Sequence, residues 1–170
     1  MRKISKLVLI LVLSLVTACG YHLRGSVSLP AQLKNVYLFG MSGPLSHEMK
    51  ALLKASNANL VTSPNEAGIV VKILKEDMRR RVTSIGQTGK SNEMELEYYL
   101  RFQFYDNQEN PLLKEQTIEL SRDFYNDQTA LLAKENEEST IRKEMYRQAA
   151  RMLMLRAEAA TKADKNKDAL

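Results

Sequence analysis

Few side chains here are spaced for chemistry. Glu93, Glu95 and Glu97 offer carboxylates at alternate positions, from which an acid and a base could be drawn if a pocket raised one of them. On the wet face of a strand the same spacing gives a solvated edge, or partners for cations on the next strand. Such cations are at hand, because Arg79, Arg80 and Arg81 precede a turn that ends at Lys90. Arginine forks match phosphate bidentately, so the hairpin tip is a candidate site for a phosphorylated ligand. Tyr99 and Tyr105 fall on a polar strand face that could meet a protein surface or water. Lys134 stands near the start of a long helical pattern, where a lysine is ordinarily a solvated cation. His22 and His47 lack Cys, Asp or Glu partners at metal-binding spacing, and no HExxH, CxxC, Walker-type glycine loop or GxSxG occurs. Neither a metal nor a cofactor is expected.

The remaining reactive group is the single thiol, Cys19, in LVTACGYHLRG. Arg2, Lys3 and Lys6 open the chain with no acid before them, and Leu7 to Val16 is apolar except for Ser14. That is a charged n-region and an h-region of secretory-signal length, too short for a membrane-spanning helix of about 20 residues. Val16, Thr17 and Ala18 ahead of Cys19 resemble the bacterial lipobox. The resemblance implies that Cys19 is alkylated with diacylglycerol, that the signal is cut after Ala18 and that the new amino terminus is acylated. Several acyl chains hold a protein firmly in a membrane where one holds it marginally. Gly20, rather than Asp, follows the cysteine, which favours the outer over the inner membrane.

Loss of residues 1–18 changes the charge. The full chain has 25 Lys and Arg against 20 Asp and Glu; three of those cations leave with the signal and no acids do, so 22 face 20. An exported, nearly balanced domain lacks the clustered basic field that nucleic-acid binding needs. About 150 residues remain, enough for one domain with its own core.

The elements follow from periodicity. Residues 19–32 read as the lipidated cysteine and a tether, 33–161 as one domain and 162–170 as a flexible tail. LKNVYLF at 33–39 is a strand stopped by Gly40 and Gly43. Pro44 suits a helix start, and Leu45, Met49, Leu52 and Leu53 give an amphipathic helix over 44–56. Residues 56–68 are mostly loop. A second strand runs from Ile69 to Leu74 and could continue to Ile85, with a turn at 86–90. EMELEYYLRFQFY at 93–105 alternates cleanly, placing Met94, Leu96, Tyr98, Leu100, Phe102 and Phe104 on one face. DNQENP at 106–111 is a turn and 112–125 a less regular strand. From about Thr129 to Thr161 there is no Gly or Pro; Ile141, Met145, Ala149, Met152 and Leu153 share one stripe, and Glu138 precedes Arg142 by four residues on the polar side. The expected architecture is α+β: a two-layer sandwich with two helices packed on one face of a four-stranded, mixed, mainly antiparallel sheet in the order β-α-β-β-β-α.

Several stretches then resemble one known family. Cys19-Gly20-Tyr21-His22-Leu23-Arg24, Gly43-Pro44-Leu45-Ser46, the hairpin from Val82 to Glu93, and Leu132 to Tyr146 occur in the order and spacing of the LptE lipoproteins. These stretches span the domain from end to end, and the family fold, two helices on a four-stranded sheet, agrees with the architecture above. The resemblance implies a non-enzymatic protein that plugs the lumen of the outer-membrane barrel LptD, helps that barrel fold and acquire its disulfides, and binds lipopolysaccharide, with its lipid anchor in the inner leaflet. It further implies that Lys134 is one of the basic residues meeting lipopolysaccharide. At the other basic position, in the hairpin, this chain has Gln87 where the family would show arginine, and Lys90 stands three residues on. Lys90 and the run Arg79, Arg80, Arg81 are therefore the companion candidates. Two further readings stay open: an outer-membrane assembly lipoprotein serving another barrel, and a lipid-anchored hydrolase using an acid such as Glu95.

Overall fold

A computed structural model describes residues 29–85, 91–125 and 131–168. The chain enters through a short 3-10 turn, Ala31–Lys34, into β1 (Asn35–Phe39), then passes through α1 (Gly43–Ala55), β2 (Asn59–Leu60), a second 3-10 turn (Pro64–Glu66), β3 (Ile69–Ile85), β4 (Ser91–Tyr105), β5 (Gln116–Tyr125) and α2 (Leu131–Asp168). The sheet order is β2-β1-β3-β4-β5. β1 pairs in parallel with both β2 and β3, while β3, β4 and β5 form an antiparallel meander.

The sandwich is the one the sequence predicts, with five strands in place of four. The additional strand, β2, is two residues long, too short to show any period. It forms because Asn57, at φ 54, turns the chain back after α1, and Asn59 Nδ2 then donates to Asn35 Oδ1 at 3.4 Å. The fifth strand starts at Gln116 rather than Leu112: Pro111, with no N–H to give a ladder, makes only an isolated bridge with Tyr105. At the other end α2 continues through Asp168, past the Thr161 limit read from the sequence. Residues 162–168 also contain no Gly or Pro, and Lys162 bonds back to Glu158 at 2.7 Å.

One face of the sheet holds the core. All six residues assigned to the apolar face of β4 are buried, and they meet Leu45, Met49 and Leu53 of α1 and Met145, Ala149 and Leu153 of α2. Ile141 and Met152 pack at the margin of the same cluster. Ser42 caps α1, its Oγ accepting from Leu45 N at 3.4 Å. Gly68 is required by close approach, since a Cβ there would lie 2.2 Å from the Gln32 carbonyl oxygen.

Candidate functional site

A β-bulge decides where the arginine run points. In β3 Ile69, Val71 and Ile73 face the core, but the register with β4 shifts between Ile73 and Lys75. Beyond that shift the even-numbered residues Glu76, Met78 and Arg80 lie opposite the buried Leu100, Tyr98 and Leu96, and the odd-numbered ones lie opposite the polar residues of β4. The three arginines are thereby split between the two faces of the sheet. Sequence reading placed them together at one tip because a bulge leaves no mark on a polar stretch.

Arg79 and Arg81 occupy the open face. Arg79 Nε lies 2.6 Å from Asp77 Oδ2. Arg81 Nη2 reaches Glu95 Oε2 at 2.5 Å and Glu97 Oε1 at 3.2 Å, and Ser121 Oγ also donates to Glu95. The Ser121 hydroxyl first, then Arg81, hold the Glu95 carboxyl below the usual carboxylate range. A general acid needs the opposite shift at Glu95, and Glu95 and Glu97 act here as cross-strand partners for Arg81.

Arg80 occupies the helix face. Its Nη1 donates to Glu138 Oε2 at 3.1 Å, and Arg142 Nη2 meets Glu138 Oε1 at 2.7 Å. The predicted Glu138 to Arg142 pair thus exists, but on the flank of α2 that overhangs β3 rather than on its solvent side. Burial pulls the Glu138 carboxyl up; hydrogen bonds from Arg142 and Arg80 and their charges outweigh it, and the net shift is downward. The triad walls an open cleft of about 680 Å3 between the two helices, also lined by His47, Lys143 and Tyr146.

A second network lies beside it, and sequence reading missed it. Glu76 accepts from Ser42 N at 2.9 Å and Tyr98 OH at 3.0 Å, and Ser42 Oγ also donates to it. Burial, then the Glu76 charge and hydrogen bond, push the Tyr98 hydroxyl far above the ordinary phenol range. The Tyr98 and Tyr146 rings meet edge to face at 5.2 Å. The signal was available: a tyrosine on an otherwise apolar strand face must find a partner for its hydroxyl.

Other expected site residues divide by place. Lys134 is in the first turn of α2. Cys19, Gln87 and Lys90 lie outside the described residues, as does the predicted turn 86–90. The flanking strand ends are paired, Ile85 with Ser91 and Glu93 with Tyr125, and α2 begins shortly after Tyr125. The start of α2 and the strand ends flanking Lys90 therefore share one end of the sheet. The described chain begins at the other, where Gly68 N donates to Asn35 O at 2.9 Å. Among the described residues no group of three or more His, Cys, Asp or Glu could hold a metal, and no helix is long and apolar enough to cross a membrane.

Comparison with known proteins agrees with this geometry. A family model described as LptE, lipopolysaccharide-assembly, matches residues 26–157. An LPS-assembly lipoprotein LptE from Pectobacterium atrosepticum is 31% identical over 89% of this chain and 83% of its own. Among solved structures, an uncharacterized lipoprotein B from Nitrosomonas europaea superposes with a TM-score of 0.71 at 25% identity, covering 85% of this chain and 94% of the other. The rare lipoprotein B from Shewanella oneidensis gives 0.63 at 25% identity, covering 78% and 98%. With the family matched over most of its length and the sandwich shared with these lipoproteins, the chain belongs to the LptE family of lipopolysaccharide-assembly proteins.

Proposed function

We propose that this protein is anchored to the outer membrane through lipidated Cys19, plugs and helps assemble the LptD barrel, and binds lipopolysaccharide on its way to the outer leaflet. The family's role is assembly rather than catalysis, and the downward shift at Glu95 fits that role. The observation that carries the reading is topological: the first turn of α2, with Lys134, and the strand ends flanking Lys90 share one end of the sheet, while the tether joins the other. A 17-residue strand separates those ends by roughly 50 Å. A basic end held that far from the end where the described chain begins suits a meeting with phosphorylated sugars inside a barrel rather than at the anchoring leaflet.

Within this reading Lys134 and Lys90 make the first ionic contacts. Arg79 and Arg81 lie farther down the open face and would join only by exchanging their present carboxylates for phosphate. Arg80 serves by holding α2 to the sheet. The polar open face, with Tyr99 beneath Lys75 at 5.5 Å, suits a wet contact with a barrel wall.

The test is a detergent pull-down of the tagged, lipidated protein from outer membranes, with mass spectrometry of what remains bound. LptD should appear in near-equal amount with lipopolysaccharide. Lys134→Glu should keep the barrel and lose most of the lipopolysaccharide. Recovery of another barrel, or of none, would overturn the plug assignment.

A further inference from the structure

At the tether end, the open sheet face carries a cleft that the proposed function does not account for. Strand pairing sets two adjacent rows across β1, β3 and β4: Tyr37, Val70 and Tyr105, then Phe39, Lys72 and Gln103. All of these but Gln103, with Pro64, Asp106 and Glu109, line a cleft of about 300 Å3. Phe39 is 53% exposed, an expensive way to display a phenyl ring unless something covers it. The Lys72 ammonium stands 5.9 Å from the Phe39 centroid and 6.0 Å from that of Tyr105, over both rings. The Tyr105 hydroxyl is held by Gln103 Oε1 at 2.8 Å, which fixes its ring.

The far wall is also built. Asp106 accepts from Gln108 N and Asn110 N, each at 2.8 Å, and from Asn110 Nδ2 at 2.9 Å. Within that tied loop Glu109 sits at φ 64, a conformation that glycine or asparagine would adopt more cheaply. The chain thus keeps a carboxylate on the rim at a backbone position that disfavours it.

We propose that this cleft is a subsite for one saccharide ring, which takes the place of the Lys72 ammonium with its C–H face on Phe39 and Tyr105, while Lys72, swung aside, and Glu109 hydrogen-bond its hydroxyls. An acyl chain would bury the lysine and glutamate without partners. A quaternary ammonium would meet a positive charge already standing over the rings. A sugar offers an apolar face and a polar rim together, and the volume, at the low end for ligand pockets, suits a ring. The site is separate from Lys134 and the hairpin, and the sugar could be free or part of a glycolipid.

Saturation-transfer NMR on the full chain, in a detergent without a sugar headgroup, tests this with glucosamine disaccharide and maltose as probes. Transfer should reach ring C–H protons of at least one probe, fall roughly three- to tenfold in Phe39→Ala, fall likewise in Lys72→Met, and be unchanged in Lys134→Glu. That last result separates this site from lipopolysaccharide contact at the opposite end. Unchanged melting by circular dichroism will show that the variants fold. A parallel arm compares lipopolysaccharide with a sugar-free anionic phospholipid. Loss of lipopolysaccharide binding alone in Phe39→Ala, without free-disaccharide binding, assigns the sugar to the glycolipid; free-disaccharide binding assigns it to saccharide as such. No transfer from either probe together with Phe39-independent lipopolysaccharide binding, or equal loss of phospholipid binding, would overturn the proposal.

Discussion

At the scale of single residues, Glu138 carries the most consequence, because one carboxylate joins Arg80 of β3 to Arg142 of its own helix. Its pKa is lowered on folding. A carboxyl of this kind adds stability that is present above its ordinary value of 4.5 and is lost as pH falls through the lower folded value. Glu138→Gln should therefore cost about 1 kcal/mol at neutral pH, and the gap to the parent should narrow as the pH falls below 4.5. Urea titrations of both proteins at neutral and acid pH check the sign. A constant gap would show that the triad contributes through packing instead. Arg80 also shows where sequence reading stops at this scale. Three adjacent arginines announce a basic strand, but the bulge after Ile73 that divides them depends on tertiary pairing, which no local pattern encodes. The alternating face of β4 was legible because each of its positions is fixed by a two-residue period and by burial. Lys134, by contrast, is marked by family resemblance and by nothing in its own spacing.

At the scale of elements, α2 is held by a stripe and not by its composition. Met145 is fully buried, whereas Leu155 on the same helix is 66% exposed. Met145→Asp should cost roughly 3–5 kcal/mol by burying an unpaired charge, a large part of a typical domain's stability of about 5–15 kcal/mol. Leu155→Asp should stay within about 0.5 kcal/mol of the parent. Thermal melts of the two variants separate stripe from surface; equal losses would mean the helix is seated differently. The entry to β3 makes a second demand. Gly68→Ala would drive a Cβ to 2.2 Å from a backbone oxygen of Gln32, so the turn preceding β1 must move. A loss of more than about 1 kcal/mol is expected, again measured by denaturant midpoint, and a neutral result would show that this turn yields freely. The long elements were legible for the reason β2 was not: a period needs several repeats to be seen. The strand boundary at 112 was misplaced because Leu112 is buried like a strand residue, yet it follows a proline that cannot extend the ladder.

At the scale of the whole molecule, attachment and folding should be separable. Among the described residues the buried core runs from Leu33 to Ala160, with Leu29 packed at its margin. No described helix is long and apolar enough to cross a bilayer, and the attachment proposed above is the lipid on Cys19. Cys19→Ala removes the thiol that the proposed lipid needs. Exported behind a signal that is cleaved without lipidation, in cells lacking LptD overproduction, the variant should keep the parent's cooperative melt but leave the membrane fraction for the soluble periplasm. If the variant sediments with membranes only when LptD is co-expressed, the domain binds its barrel without the anchor, and the lipid serves to raise the local concentration of an already complementary surface. If it sediments regardless of LptD, the lipobox reading fails and attachment lies in the domain itself. The aromatic patch around Phe39 would then be the first surface to truncate, because it stands at the end where the tether begins.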